Sequence, residues 1–209
     1  MSLARVLVRS SRMSIMAPQA IITIIPRNIT VRNASNRRDV AGWRMNKIDS
    51  ARVAYEKCSH AFENNKPFFV KELGLPDAFS SWFAITVLHV WMYTARLRAE
   101  QGEGKELSQE IFNHLWLDVE MKLHKAGVKH RINARITELL GSFYGQTLAY
   151  DEGLATSDAI FAAALYRNVF GGREVKPTTV EALLKYVRSK VQVVDSADSA
   201  AILDGSVAL

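Results

Sequence analysis

Apolar side chains recur every three to four residues along nearly all of the chain beyond residue 38. No window of four to eight residues alternates as a β-strand would. The pattern predicts an all-α fold, a single helical bundle of about six helices. Their predicted starts are near Asp49 or Ser50, at Asp77, before Ile111, before Ile132, at Asp158 and at Pro177.

Capping residues and glycines mark several of the predicted helix ends. Asp77 follows a Gly-Leu-Pro turn and is predicted to be the N-cap of the second helix. Gly102 and Gly104 are predicted to end that helix. Thr178 and Glu181 have the spacing of a capping box at the start of the sixth helix.

Composition divides the chain into three parts. Residues 1–38 carry seven arginines and no acidic side chain, and they are predicted to be a disordered leader. Residues 39–194 hold the periodic pattern and are predicted to form one helical domain. Residues 195–209 are small, polar and unperiodic, which predicts a flexible tail.

The leader has the features of a mitochondrial presequence. Arg5, Arg9 and Arg12 share one face of a helix, and Leu3 and Leu7 lie opposite. Without the seven leader arginines the chain holds 20 Lys and Arg against 21 Asp and Glu. The formal charge of +6 therefore comes mostly from the predicted targeting leader, and it is weak evidence for nucleic-acid binding.

Residues 78–95 contain no formal charge over eighteen positions, and their apolar side chains point in every direction around a helix. Such a helix is either a bilayer span or the centre of a bundle. The polar side chains of Ser80, Ser81, His89 and the threonines argue against a bilayer span. The bundle centre is also favoured because five amphipathic helices elsewhere need a common packing partner. We therefore predict a central apolar helix near residues 78–98, and an inner-membrane anchor remains the alternative.

Small residues line one side of the predicted fourth helix. Ala134, Gly141, Gly145 and Ala149 share a side away from the large apolar stripe, and Glu138 lies there too. Two glycines inside a helix cost stability and call for a reason, which is close packing of another backbone. That backbone is either an internal neighbour or a partner chain.

Motifs of catalysis, metal binding and cofactor binding are absent from the sequence. His60, His89, His114, His124 and His130 form no HExxH pair, and no GxSxG, Walker or dinucleotide motif occurs. His89 is interpreted as a hydrogen-bonded core histidine. The sequence predicts no catalytic residue, no metal, no cofactor and no small-molecule substrate, and we expect that the protein is not an enzyme.

Two polar clusters are candidate surfaces. The basic turn between the third and fourth helices is either a solvated helix end or a docking surface for ribosomal RNA or an acidic partner. Its candidate residues are Lys122, Lys125, Lys129, Arg131 and Arg135. The segment Tyr150-Asp151-Glu152-Gly153 is either an acidic turn after a helix or a partner-facing surface. The basic turn supports an alternative function as an RNA- or ribosome-associated mitochondrial translation factor.

Several blocks resemble a known family. They are Leu75-Pro76-Asp77-Ala78-Phe79-Ser80-Ser81-Trp82-Phe83, Leu88-His89-Val90-Trp91-Met92, Tyr150-Asp151-Glu152-Gly153 and Ala162-Ala163-Ala164-Leu165-Tyr166-Arg167. In this order they resemble the ubiquinol-cytochrome c chaperone family, the assembly factors of respiratory complex III, over about residues 66–192. The resemblance implies a chaperone that supports synthesis and stability of new cytochrome b.

The resemblance also implies partners and a location. It implies a heterodimer with a small helical second assembly factor, a position near the exit of the mitochondrial ribosome, and peripheral association with the matrix side of the inner membrane. A holder of cytochrome b needs aromatic and flexible side chains in a groove. We expect either such a groove along the central helix or burial of these side chains as core. The partner or client candidates are Trp82, Phe83, His89, Trp91, Met92, Tyr150, Asp151 and Glu152.

Overall fold

The computed structural model describes residues 37–209 except residue 129, and for residues 37–45 it describes the backbone alone. Seven α-helices and one π-helical segment make up this part of the chain. The α-helices are α1 (Arg37–Asn64), α2 (Phe79–Leu97), α3 (Gln101–Lys125), α4 (Ile132–Ala155), α5 (Asp158–Val169), α6 (Pro177–Ser196) and α7 (Ser199–Leu203), and the π-helical segment is Pro67–Glu72. The first six match the six predicted helices. The predicted presequence, apart from the first two residues of α1, lies outside the described residues.

Helix α2 is the centre of the bundle. Sixteen of its residues are buried, from Ser81 to Leu97 with Thr94 as the exception. Helices α3 to α7 all contact it, and α1 packs along both α2 and α3. The prediction of a central apolar helix is confirmed, because amphipathic neighbours cover every side of this uncharged segment.

The structure gives one further result on the membrane question. Between Arg37 and Leu209, residue 129 aside, no helix is both long enough and apolar enough to cross a membrane.

Three predicted helix boundaries are wrong. Helix α1 begins at Arg37 rather than near Asp49. Ala78 is the N-cap of α2, since Asp77 forms an ion pair with Lys66 at 2.9 Å instead of capping the helix. Helix α3 starts at Gln101, so the two glycines after it belong to its first turn. Gly104 is required there, because a Cβ atom would lie 2.0 Å from the Leu97 carbonyl oxygen.

The capping box predicted at the start of α6 is also wrong. The helix begins at Pro177 with Lys176 as N-cap, and no side chain caps it. Glu181 instead pairs with Lys185 at 2.7 Å. Proline suits this first position because its missing N–H has no helical partner there.

The prediction of a flexible tail at residues 195–209 is wrong. Asp198 caps α7 by accepting a hydrogen bond from the backbone N–H of Ala201. Ile202 is fully buried, and its carbonyl oxygen accepts a hydrogen bond from the Tyr93 hydroxyl at 2.7 Å. Lys57 Nζ donates to the carbonyl oxygen of Gly205 at 2.8 Å. The segment therefore closes the core over α1 and α2.

Candidate functional site

Two blocks of the sequence resemblance meet in the interior. Trp91 Nε1 on α2 donates a hydrogen bond to Asp151 Oδ1 on α4 at 2.7 Å. The Trp91 ring lies 5.3 Å from the Tyr150 ring and 5.7 Å from the Phe161 ring, centroid to centroid. Arg98 donates to the second oxygen of Asp151 at 2.8 Å. These contacts fix α4 and α5 on the central helix.

Gly153, the last residue of the Tyr-Asp-Glu-Gly block, sets the approach of α4 to α5. A Cβ atom at this position would lie 2.6 Å from the Cα atom of Phe161. Such a distance is far inside van der Waals contact, so glycine is required for the two helices to pack this closely. The Tyr-Asp-Glu-Gly block therefore carries packing roles at three of its positions. Glu152 is its one exposed residue.

His89 is a buried, hydrogen-bonded residue of α2. Its Nδ1 lies 2.7 Å from the carbonyl oxygen of Ile85, and its Nε2 lies 2.9 Å from the Tyr186 hydroxyl. A carbonyl oxygen accepts, so Nδ1 carries the proton and Nε2 accepts from the tyrosine. Burial lowers the pKa of His89 to about 4, and the charge of Lys190 acts in the same direction. The imidazole is therefore neutral near pH 7.

The predicted groove along α2 is not present in the structure. Its side chains are all buried: Trp82, Phe83, Trp91, Met92 and Tyr93. Tyr150 is also fully buried, and its burial raises the pKa of its hydroxyl. The reason is that α1, α3, α5 and α6 cover the sides of α2 that the groove would need. These aromatic side chains hold the helices together as core residues, and of the five only Trp82 also lines an open cleft.

A cleft of about 520 Å³ opens where α1, the start of α2 and the end of α3 meet. Trp82 lies at its floor and donates from Nε1 to the carbonyl oxygen of Ser59 at 3.0 Å. Lys122 Nζ lies 4.5 Å from the centre of the indole ring. Polar residues line the cleft: Ser59, His60, Glu63, Asp77, Asp118, Lys122 and Lys125. The cleft thus joins two of the basic candidates to one aromatic candidate.

The remaining basic candidates do not form one continuous cationic face. Arg135 donates to Glu138 at 2.8 Å, and Lys122 lies 3.7 Å from Asp118. Arg131 is exposed and has a left-handed backbone conformation with φ of 58° at the start of α4. Lys129 lies outside the described residues. Part of the positive charge of the turn is therefore balanced by acids of the same helices.

A second concave surface lies between α5 and α6 and is almost entirely apolar. This groove has a volume of about 400 Å³. Its lining residues are Ala162, Ala163, Tyr166, Pro177, Val180, Glu181 and Leu184. Three of them belong to the Ala-Ala-Ala-Leu-Tyr-Arg block. Sequence reasoning missed this groove, because it depends on how two helices are placed relative to each other.

The described parts of the chain contain no cluster of three His, Cys, Asp or Glu side chains placed to hold a metal ion. Cys58 is buried on α1, and its burial raises the pKa of the thiol. The described residues form a polar cleft with an aromatic floor and an apolar groove.

Comparison with known proteins gives matches over most of the described chain. The profile of a family described as ubiquinol-cytochrome C chaperone matches residues 71–209. A mouse protein, ubiquinol-cytochrome c reductase complex assembly factor 1, is 37% identical over 155 residues. Yeast protein CBP3, mitochondrial, is 34% identical over 131 residues. The matches cover 74% and 60% of this chain, but 51% of the mouse protein and 39% of the yeast protein. The chain thus spans about half or less of the length of these relatives.

One solved structure has a similar fold. The crystal structure of the Cbp3 homolog from Brucella abortus superposes with a TM-score of 0.68 at 25% sequence identity. The superposition covers 80% of this chain and 93% of that chain. The arrangement of helices described above is therefore shared with a solved protein.

Proposed function

The chain belongs to the ubiquinol-cytochrome c chaperone family, and from that membership we propose that it is an assembly factor of respiratory complex III. It holds newly made cytochrome b until the complex forms. The match of the family profile to residues 71–209 carries this proposal. The protein acts by binding rather than by catalysis, in agreement with a site made of a cleft and an apolar groove.

We place client capture at the apolar groove between α5 and α6. Cytochrome b consists of apolar helices, and such a helix binds where apolar side chains line a concave surface. Six of the seven groove residues are apolar, and Glu181 at the edge is paired with Lys185. The aromatic residues of α2 lie beneath the groove and support it indirectly. The Trp91 ring packs against Phe161 of α5 and so positions that helix.

The finer parts of the proposal concern location and partners. The protein works in mitochondria, on the matrix side of the inner membrane, next to the ribosome exit and together with a small helical second assembly factor. The arginine-rich leader supports import. The exposed side chains of Lys125 and Arg131 support ribosome proximity, since cationic side chains attract RNA phosphates.

The client-binding proposal is tested by charging the groove. Ala163 is exposed and lines it, so Ala163→Glu introduces a carboxylate without displacing core atoms. The variant is expressed in cells that lack their own family member, and mitochondrial translation products are pulse-labelled. We expect less labelled cytochrome b to co-purify with the variant and less complex III to accumulate. Burying a charge in an apolar contact opposes binding.

A matched control separates binding from folding. Ser189→Glu adds the same side chain at an exposed position on the outer face of α6. It should retain native levels of co-purified cytochrome b. Equal capture by both variants would remove the groove from the proposal. If no labelled cytochrome b co-purifies even with the unmodified chain, although cells without the protein lose complex III, then cytochrome b is not the client.

Ribosome proximity has its own test. Neutralising Lys125 and Arg131 to Gln should lower retention on mitochondrial ribosomes and flatten its dependence on salt, because each neutralised side chain that touches a phosphate reduces the salt slope by about one. Lys105→Gln, at an exposed position near the start of α3, is the control. Unchanged retention would exclude the basic turn as a ribosome-binding surface.

A further inference from the structure

Two large apolar side chains are open to solvent on the last third of α3. Leu117 is 58% exposed and Met121 is 62% exposed, the highest value among the large apolar side chains of the described residues. They are four residues apart, so they are neighbours on one side of the helix. The opposite side of α3 carries its buried residues Leu115, Val119 and Leu123. Adjoining apolar side chains at this exposure indicate a contact with something outside the molecule.

Cationic side chains continue this side of α3 toward its C-terminal end. Lys125 follows Met121 by four residues, and Arg131 lies six residues further on, at the start of α4. Both cations are exposed, and neither pairs with an acid of the described chain. The nearest acid on this side is Glu120, which lies 3.7 Å from His124. The apolar pair is therefore followed by a net positive charge.

The size and composition of this surface decide which partner fits it. We call it the α3 patch, and it consists of Leu117, Met121, Lys125 and Arg131. A stable protein interface takes about 20 or more residues from each side, so the patch is too small for one. RNA is bound by cations and by rings that stack on bases, which leaves the leucine and the methionine without a role. A bilayer surface uses both kinds of side chain, because apolar groups insert among its headgroups and cations attract anionic ones.

We propose that the α3 patch docks the protein on a bilayer surface that carries anionic phospholipid. Leu117 and Met121 insert between the headgroups, and Lys125 and Arg131 lie against the lipid phosphates. The contact is weak and reversible, because only two apolar side chains enter the bilayer. This proposal rests on the location at the inner membrane proposed above, and it names the surface that makes the contact. Docking keeps the protein beside the bilayer into which an apolar client must pass.

A fluorescent label tests whether the patch enters lipid. Cys58 is fully buried, so in a Met121→Cys variant a thiol-reactive, environment-sensitive dye labels the introduced thiol. The full chain is mixed with vesicles of phosphatidylcholine alone or with added phosphatidylglycerol. We expect the emission to shift to the blue with the anionic vesicles and to stay unchanged with the neutral ones. The signal is local, so attachment through the arginine-rich leader does not by itself produce it.

A matched control places the same label on a different exposed apolar position. Leu148 on α4 is 59% exposed, close to the value at Met121, but Asp151 and Glu152 follow it instead of cations. A dye at Leu148→Cys should therefore remain in water with both kinds of vesicle.

Substitutions in the labelled chain separate the two parts of the contact. Lys125→Gln should raise the vesicle concentration at half-maximal shift about fivefold, since it removes one cation near the anionic surface. Leu117→Ser should raise it about tenfold, since it removes an inserted apolar side chain. Both positions are exposed, so the melting temperature should stay unchanged. Lys105→Gln, at an exposed site near the other end of α3, is the control and should have no effect.

Several outcomes would overturn the proposal. A dye at Met121→Cys that responds to neither vesicle, or equally to both, would do so. So would the same response at Leu148→Cys, or a labelled chain that is indifferent to Leu117→Ser and Lys125→Gln. A dye that responds to mitochondrial ribosomes and not to vesicles would make the patch an RNA surface instead. The Ala163→Glu test of cytochrome b capture is independent of lipid binding, so failure of the docking proposal is distinguishable from failure of the proposed function.

Discussion

Two parts of α4 carry similar residues in opposite surroundings. At its C-terminal end, Gly153 lies against Phe161, and Tyr150 is fully buried against Trp91. Near its middle, Gly145 faces open space and Tyr144 is 45% exposed. A glycine and a tyrosine of one helix thus serve internal packing at its end and lie at the surface in its middle. Residue type alone does not distinguish the two roles; the contacts do.

The largest expected difference between the buried end and the exposed middle of α4 concerns aromatic side chains. Trp91→Ala removes a ring that contacts Tyr150 and Phe161, and it leaves Asp151 without the indole donor. We expect the free energy of unfolding to fall by about 3–5 kcal/mol, measured by urea denaturation. Tyr144 is 45% exposed and its ring contacts only Phe112 and Phe143 among the described rings, so Tyr144→Ala should cost less, about 1 kcal/mol. Similar costs for both would erase the contrast.

The free energy of unfolding should also depend on pH, because of a buried histidine in α2. Because burial lowers the pKa of His89 to about 4, the unfolded chain binds more protons between that pH and the ordinary pKa near 6.5. Stability should therefore be complete above about pH 6.5 and fall as the pH drops toward 4, by about 1.4 kcal/mol per pH unit or roughly 3 kcal/mol in total.

The measurement for His89 is a comparison of unfolding free energies with the His89→Gln variant across this range. Carboxylates elsewhere titrate in both proteins, so the difference curve isolates the histidine. A flat difference curve would show that the imidazole is not held neutral by burial.

Gly153→Ala tests the buried end of α4 by a single methyl group. The added Cβ atom would overlap Phe161, so α4 and α5 must separate. We expect a loss of about 1–3 kcal/mol in the free energy of unfolding. Wild-type stability in this variant would mean that the two helices do not pack as closely as described.

The smallest expected effect has the opposite sign. Gly145→Ala adds the same methyl group where nothing lies nearby, and alanine favours a helix by up to about 1 kcal/mol over glycine. The variant should therefore be more stable than the native chain, as measured by thermal unfolding. Destabilisation would show that the open face has an internal neighbour.

Much of the fold follows from the local pattern of apolar residues, and each incorrect prediction has an identifiable cause. The uncharged α2 and the amphipathic helices around it were predictable because burial leaves a periodic signal. The start of α1 was missed, since Asp49 and Ser50 are good caps that the helix passes through. The C-terminal segment was missed because the burial of Ile202 and Val207 depends on contacts with distant residues. The Asp198 cap was a signal that could have been used.

The candidate site was less predictable than the fold. The pairing of Trp91 with Asp151 joins residues 60 positions apart, and no spacing rule gives it. The aromatic residues of α2 suggested a groove. Because these residues are apolar, the hydrophobic effect favours their burial under neighbouring helices instead. The groove at Ala162 and Leu184 has no motif of its own, because it is the space left between two helix surfaces.

The anchoring of the C-terminal segment has a consequence for the order in which the chain folds. The carbonyl oxygens of Ile202 and Gly205 are held by Tyr93 and Lys57, which lie 109 and 148 positions earlier. A polypeptide that enters a compartment with its N-terminal end first presents α1 and α2 long before their last partners arrive. Until those partners arrive, the partial chain exposes the parts of α1 and α2 that the C-terminal segment covers.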